Sequence, residues 1–222
     1  DKAADAKAAF QDLQGDQREL IAEGWIPFER EISVLVTRST EGEIRCFPVV
    51  ENVHEAGILA SSLVPARISV DLNRKARNIA ILIAQGLRLQ GMLAIEMFVM
   101  PDGQLLVNEL APRPHNSGHY TQDGTNICQF EQHLRAICGW PLREPKLHSP
   151  TVMLNLLGEH IPALKSWHIS LPAEAHLHWY GKAEARPGRK MAHLNICGAS
   201  LEEALEDLER WNIRSTPKGV HT

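Results

Sequence analysis

The spacing of apolar and polar residues along the first half of the chain predicts two helices and several short strands. Alanine-rich residues 1–14 predict a helix that ends at Gly15, and apolar positions at helical spacing after Ser69 predict a longer helix reaching about Gln85. Apolar runs separated by turn residues predict strands. The predicted strands cover residues 20–26, 31–37 and 44–50.

A β-hairpin, a polar loop and a helix are predicted next. Apolar residues 92–100 and 105–110 flank Pro101-Asp102-Gly103, a turn sequence in which glycine tolerates positive φ. Residues 111–124 are polar and rich in proline, asparagine, serine and glycine, which predicts a loop. Residues 127–138 predict a helix that ends before a glycine and a proline.

The last part of the chain is predicted to form a smaller unit after a proline-containing linker. Strands are expected at residues 151–157 and 175–180. A capping box of Ser200 and Glu203 begins a final helix, and the apolar stripe of that helix extends to Trp211.

Composition narrows the class of protein. The 222 residues are 44% hydrophobic and 23% charged, which fits a soluble globular protein with a real core. The net charge of −4, with both signs interspersed, provides no basic field for a nucleic acid or a membrane surface. The longest apolar runs are far shorter than the roughly 20 residues of a membrane helix. We therefore expect a cytoplasmic protein with neither a nucleic-acid nor a membrane partner.

Glu96 is an acidic residue inside an apolar strand, where a buried carboxylate needs a cation. A two-residue turn at Asp102-Gly103 would place Glu109 directly opposite Glu96 on one face of the hairpin. With a three-residue turn, Glu96 would face Asn108 unless a bulge restored the pairing. Two facing carboxylates suit Mg²⁺, which also takes phosphate oxygens and water. The alternative is two unrelated, half-exposed acids.

The segment that follows the hairpin resembles the signature of a known enzyme family. The sequence Asn-Glu-Leu-Ala-Pro-Arg-Pro-His-Asn-Ser-Gly-His at residues 108–119 is similar to that of the 5-(carboxyamino)imidazole ribonucleotide synthases, which are carboxylate–amine ligases of the ATP-grasp superfamily. The resemblance continues at residues 129–136, 176–182 and 186–195. It implies an α+β protein: the C-terminal half of an ATP-grasp domain, with an antiparallel sheet and flanking helices, followed by a small mainly-β domain.

The resemblance implies a carbon–nitrogen ligase of de novo purine biosynthesis. In this family ATP phosphorylates bicarbonate to carboxyphosphate, and the amine of 5-aminoimidazole ribonucleotide is then carboxylated to N5-carboxyaminoimidazole ribonucleotide, leaving ADP and phosphate. Two magnesium ions bridge the ATP phosphates, and Glu96 and Glu109 match the acids that hold them. The implied partners are these small molecules and, because relatives are commonly dimers, a second copy of the chain.

The resemblance also assigns a nucleotide site. The sequence Glu23-Gly24-Trp25-Ile26 matches a hinge strand that meets adenine, and Glu31 matches an acid that holds the ribose hydroxyls. A carboxylate can accept two hydroxyl hydrogen bonds, which suits that role. The residues expected to bind ATP are Glu23, Trp25, Ile26, Glu31, His54, Asn108 and Glu109.

Two basic clusters complete the expected site. Arg113 can bind bicarbonate or carboxyphosphate as a bidentate donor, and His115 and Asn116 supply further donors from the same loop. These three are the expected catalytic residues. An alternative role for His115 is that of a general base that takes the amine proton. The residues expected to bind the phosphate of the nucleotide substrate are Lys182, Arg186, Arg189 and Lys190.

One part of the family's pattern is expected before Asp1: a glycine-rich phosphate-binding loop and an opening βαβ domain. We therefore expect the chain to be a fragment without turnover of its own. Its predicted domains are residues 1–148, part of the ATP-grasp domain, and residues 149–222, a small β-rich domain with a terminal helix. The alternatives are another ATP-grasp ligase, of the formate-dependent transformylase or biotin carboxylase type, or a non-catalytic nucleotide-binding module.

Overall fold

A computed structural model describes residues 3–162, 164, 171 and 173–210. The predicted first helix is confirmed as α1, Ala3–Asp12. The predicted strand at residues 20–26 is wrong, because this segment has no regular secondary structure. Its apolar residues Ile21 and Trp25 are 86% and 88% exposed. Among the described residues, the segment has neither a partner strand nor a core to cover, and an isolated strand does not form.

The described residues contain nine strands, all of them in one antiparallel sheet. The strands are β1 Arg30–Arg38, β2 Ile44–Cys46, β3 Val50–Glu55, β4 Ile58–Val64, β5 Gly91–Val99, β6 Leu105–Ala111, β7 Thr151–Leu157, β8 Ala175–Trp179 and β9 Lys190–Cys197. Their spatial order is β6-β5-β1-β3-β4-β7-β9-β8, and β2 pairs with β1. The single strand predicted at residues 44–50 is wrong, since β2 and β3 are separated around Pro48, which cannot donate to a ladder.

Four α-helices of the described residues pack against this sheet, and the predicted α+β class is confirmed. They are α2 Val70–Gly86, α3 Thr121–Gly124, α4 Gln129–Ile137 and α5 Leu201–Arg210. The predicted caps are also confirmed, because the hydroxyl of Ser69 accepts from Leu72 N at 3.2 Å and that of Ser200 accepts from Glu203 N at 3.1 Å. Trp211 lies outside the described residues.

Within the described part of the chain, none of the helices has the length and apolarity needed to cross a membrane.

Apolar side chains cover both faces of the sheet. The buried alanines Ala76, Ala80 and Ala84 of α2 pack with β1 and β5. Alternation along β1 sends Leu35 to the opposite face, where it joins the cluster that contains Tyr120. A third cluster lies between β7, β9 and α5.

The sheet passes without interruption from the first predicted domain to the second. Strand β4 pairs with β7 in a register that sets Ser61 opposite Leu154 and Val64 opposite Thr151. This pairing brings the C-terminal strands beside the part of the sheet that continues to the β5–β6 hairpin. The boundary at residue 148 remains a prediction.

Candidate active site

The two acidic residues of the hairpin face each other. The turn contains three residues, because Met100 N donates to Gln104 O at 2.9 Å and Gly103 has a φ of +77°. Met97 is then paired with Val107, and the register shifts so that Glu96 is paired with Glu109. Asn108 is the extra residue of this bulge. The predicted pairing is confirmed, but it arises from a three-residue turn and a bulge and not from the two-residue turn.

Both acids line a cavity of about 430 Å³, here named the carboxylate cavity. It collects residues from distant parts of the sequence. Those with an expected role are His54, Glu96, Glu109, His115, Asn116, Lys182 and Lys190. The structure therefore brings the two expected metal ligands together with two of the expected catalytic residues and two of the expected phosphate-binding residues.

The charges in this cavity perturb one another. Burial raises the pKa of Glu96, and the charges of Glu109 and Glu31 raise it further, whereas His54 and Lys190 act in the opposite direction. Burial lowers the pKa of Lys190, and Glu96 opposes that shift. A carboxylate whose pKa is raised by burial and by a second carboxylate gains stability from an added cation.

The donor set fits a magnesium ion that arrives with phosphate. Glu96 and Glu109 offer two carboxylates on one face, and Mg²⁺ in nucleotide sites takes one or two carboxylates and completes its shell with phosphate oxygens and water. Among the described residues, no group of three or more histidine, cysteine, aspartate or glutamate side chains is placed to hold a metal ion.

A second cavity of about 460 Å³, here named the nucleotide cavity, lies along the other part of the hairpin. Four of the expected ATP-binding residues line it: Glu23, Trp25, Ile26 and Asn108. Its apolar part includes Phe28 and Phe98, whose rings are stacked with centroids 4.4 Å apart. Such a surface suits a planar base. Asn108 and Glu109 are neighbours in sequence but line different cavities, so the two cavities are adjacent at the bulge.

Glu31 and His54 form an ion pair beside the carboxylate cavity. His54 Nδ1 lies 2.5 Å from Glu31 Oε2, and the hydrogen bond with Glu31 raises the pKa of His54. Glu31 is not among the described residues that line the nucleotide cavity. Its assignment to the ribose hydroxyls therefore stays a prediction.

A buried glutamine holds the loop that carries His115 and Asn116. His115 N donates to Gln129 Oε1 at 2.8 Å, and Gln129 Nε2 donates to His115 O at 2.8 Å. The ring of His115 places Nε2 at 3.7 Å from Glu96 Oε1, and burial lowers the pKa of His115 to about 4. The side-chain nitrogen of Asn116 is buried without a hydrogen-bond partner among the described residues, which leaves a donor for a ligand.

The expected arginines lie outside the carboxylate cavity. Arg113 is exposed and donates to Pro114 O at 3.2 Å. Arg186 forms an ion pair with Glu184, and Arg189 Nη1 donates to Glu184 O at 3.0 Å. None of the three is among the described lining residues, in contrast to Lys182 and Lys190.

Sequence reasoning missed the role of Gln129 in holding the loop of His115, and it did not consider the polar residues Tyr180 and His193. Each belongs to a segment that carried the family resemblance, but none was considered as part of the site. Gln129 is fully buried, and His193 is 1% exposed. For His193, a polar residue among the apolar residues of β9 was the available signal, since buried polar groups need partners. Gln129 lies in a polar stretch of sequence that provides no such signal.

Comparisons with known proteins agree with the geometry. Residues 1–130 match the family model described as ATP-grasp domain, and residues 151–207 match that of the phosphoribosylaminoimidazole carboxylase C-terminal domain. The N5-carboxyaminoimidazole ribonucleotide synthase of Bacillus subtilis (strain 168) is 47% identical over 195 residues, which cover 87% of this chain and 51% of that protein.

Solved structures extend this likeness. The ADP complex of an N5-carboxyaminoimidazole ribonucleotide synthetase matches with a TM-score of 0.92 and 47% identity, over 98% of this chain and 57% of that one. The Aspergillus clavatus N5-carboxyaminoimidazole synthase in complex with ADP and 5-aminoimidazole ribonucleotide matches with a TM-score of 0.84 and 31% identity, over 94% and 58% of the two chains. The present chain thus spans about half the length of the curated relatives it matches.

Proposed function

This chain belongs to the ATP-grasp family, and from that premise we propose that it forms the C-terminal part of an enzyme that carboxylates 5-aminoimidazole ribonucleotide with bicarbonate and ATP. The products would be N5-carboxyaminoimidazole ribonucleotide, ADP and phosphate. The observation that carries the proposal is the carboxylate cavity, where Glu96 and Glu109 face each other and meet Lys182 and Lys190. The relatives named above supply the choice of substrate.

ATP would lie along the hairpin, with its base in the nucleotide cavity and its phosphates in the carboxylate cavity. Phe28 and Phe98 would pack on the adenine, and Asn108 and Glu109 would mark the passage between the two cavities. Glu96 and Glu109 would hold the magnesium ions, whose chemistry is to neutralise the phosphoryl group during its transfer.

His115 and Asn116 would act on bicarbonate, carboxyphosphate and the amine. Burial keeps His115 neutral near pH 7, and because its Nδ1 accepts from Ser117 N, its Nε2 carries a proton that can be donated to an anion oxygen. The alternative role as a general base for the amine would require the other tautomer. The unpartnered nitrogen of Asn116 can donate to an oxyanion. Arg113 would reach the same anion by exchanging its contact with Pro114 O for a bidentate one.

Lys182 and Lys190 would bind the phosphate of the ribonucleotide, because both line the cavity and a phosphate monoester favours several cationic donors. Arg186 and Arg189 would join them only by leaving Glu184. We further propose that the remainder of the enzyme supplies a glycine-rich loop and a nucleotide-substrate domain. A homodimer and a cytoplasmic location complete the proposal.

The test is an assay of ADP formation by the complete polypeptide that contains this chain. We expect ADP formation that requires both bicarbonate and 5-aminoimidazole ribonucleotide, and none from residues 1–222 alone. Turnover with formate or biotin as the required co-substrate would assign another ligase instead. Tight ATP binding without turnover under any of these conditions would indicate a non-catalytic module.

A further inference from the structure

Three histidine rings form a stack next to Tyr180. His178 of β8 and His193 of β9 are directly paired across the sheet, and their ring centroids are 4.5 Å apart with planes at 14°. His119, from the loop before α3, stacks on the other side of His193 at 4.4 Å and 7°. We name these three residues the ring stack.

Hydrogen bonds fix both ends of the ring stack. His178 Nε2 lies 2.7 Å from Asp123 Oδ2, and Gln122 Nε2 lies 3.2 Å from His178 Nδ1. Because the amide donates to Nδ1, the Nε2 atom of His178 carries the proton that Asp123 accepts. At the other end, Gln129 Nε2 donates to His119 Nδ1 at 3.2 Å. The rings are therefore held in orientation as well as in position.

Tyr180 joins the ring stack to the cavity. Its hydroxyl lies 2.8 Å from His193 Nδ1. Burial lowers the pKa of His193 to about 2 and raises that of Tyr180 to about 12, so both groups stay neutral near pH 7. The neutral hydroxyl and the neutral imidazole share one hydrogen bond, which fixes the ring of Tyr180.

Lys182 lies over this ring. Its ammonium lies 5.4 Å from the centroid of the Tyr180 ring and donates to Lys190 O at 2.6 Å. An aromatic face attracts a cation at this distance, and an ammonium has three donors, of which the carbonyl takes one. The other donors remain for a ligand in the cavity that Lys182 lines.

We propose that Tyr180 and His193 are positioning residues, which hold the Lys182 ammonium at the carboxylate cavity so that it meets the phosphate of the ribonucleotide substrate. This inference rests on the proposed function. It adds two residues that hold Lys182, one of the side chains proposed to bind the substrate phosphate. A ring stack that only packed the sheet would stabilise the fold but would not act through Lys182.

A double-mutant cycle in the complete polypeptide distinguishes these roles. Tyr180→Leu should raise the KM for 5-aminoimidazole ribonucleotide about fivefold, within the range of one cation–π contact, while kcat and the KM for ATP change less than about twofold. In a Lys182→Met background, Tyr180→Leu should raise that KM no further, because the group it positions is gone. Tyr180→Phe keeps the ring and loses only the hydroxyl, so it should give a smaller increase.

Trp179→Leu is the matched control, because Trp179 is the preceding residue and is 49% exposed. It should leave the KM unchanged. An equal effect of Tyr180→Leu with and without Lys182 would overturn the inference, as would a joint loss of kcat and ATP affinity. If Tyr180→Leu does not fold, Tyr180→Phe and His193→Gln give the same cycle.

Failure of the proposed function would be recognised separately. It would appear as a wild-type protein without ribonucleotide-dependent ADP formation. The cycle is then measured by calorimetric binding of ribose 5-phosphate, in which Tyr180→Leu should weaken binding about fivefold only when Lys182 is present. Equal weakening in both backgrounds would contradict the inference in this readout too.

Discussion

The charge on Glu96 depends on a histidine as well as on lysine. His54 is paired with Glu31, and the hydrogen bond with Glu31 raises the pKa of His54 above its ordinary value of 6.5. The positive charge on His54 in turn opposes the rise in the pKa of Glu96 that burial causes. The positive charge on His54 therefore helps to keep Glu96 ionised, which is the form that can bind a metal ion, whereas the charge of Glu31 itself acts in the opposite direction.

Replacing Glu31 should change the titration of His54. In Glu31→Gln, the midpoint of the His54 imidazole signal in a proton NMR titration should move to lower pH, because the group that stabilises the charged ring is removed. The adjacent exposed acid Glu55 provides the control, since Glu55→Gln should leave the midpoint in place. An unchanged midpoint in Glu31→Gln would show that the pairing does not set this pKa.

The same pairing predicts a pH dependence of stability with a definite sign. The folded-state pKa of His54 lies above the unfolded value, so the pair stabilises the folded state fully below about pH 6.5. That contribution is lost as the pH rises through the folded-state pKa. In denaturant titrations at several pH values, His54→Gln should remove this part of the dependence.

At the residue scale, the sequence singled out Glu96 because a carboxylate inside an apolar strand is unfavourable without a cation. The structure places Glu96 opposite Glu109, and its role as a metal ligand stays a prediction. The arginines show the limit of such reasoning, since Arg186 and Arg189 have the right chemistry but contact Glu184 a few residues away. A long cationic side chain can reach several acceptors, and only the tertiary structure decides among them.

At the scale of elements, the loop that carries His115 is fixed from helix α4. Gln129 binds both the N–H and the C=O of His115 at 2.8 Å, as a neighbouring strand would. Three residues further along α4, Gln132 binds both backbone groups of Arg143 in the same way, at 3.2 Å and 2.7 Å. Helix α4 therefore holds two segments, one at His115 and one at Arg143, and only the segment at His115 belongs to the candidate site.

This similarity provides a matched pair of variants. Gln129→Leu and Gln132→Leu should each lower the free energy of unfolding by about 1–3 kcal/mol, because each leaves part-buried backbone N–H and C=O groups without their partners. Only Gln129→Leu should also lower kcat for ribonucleotide-dependent ADP formation by at least about tenfold, since it releases His115 from its place beside Glu96. Equal kcat values in the two variants would contradict a positioning role for Gln129.

The hairpin shows how far element prediction reached. Its strands followed from apolar runs and turn residues. The facing of Glu96 and Glu109 was predicted from a two-residue turn, whereas the bulge at Asn108 that produces it has no distinctive sequence signal. The wrong strand at residues 20–26 has a different cause. Apolar residues such as Ile21 and Trp25 favour a strand locally, yet a strand needs a partner to satisfy its backbone.

At the scale of the whole molecule, the candidate site is a product of the continuous sheet. Glu96 and Lys190 are far apart in sequence, and the pairing of β4 with β7 brings the strands that carry them into one sheet. Such an arrangement could not be obtained from spacing alone. The ATP-grasp fold was expected from motifs and is confirmed by the family match and by the structural likeness.

The central claim is that Glu96 and Glu109 together hold the magnesium ions that bind ATP, and a calorimetric titration with ATP tests it directly. With Mg²⁺ present, Glu96→Gln and Glu109→Gln should each weaken ATP binding by at least about tenfold, as expected for the loss of one contact to a charged group. Without Mg²⁺, neither variant should bind ATP more weakly than the wild type. Glu41→Gln, in the turn between β1 and β2, should match the wild type under both conditions. An unchanged magnesium dependence in both hairpin variants would contradict the account.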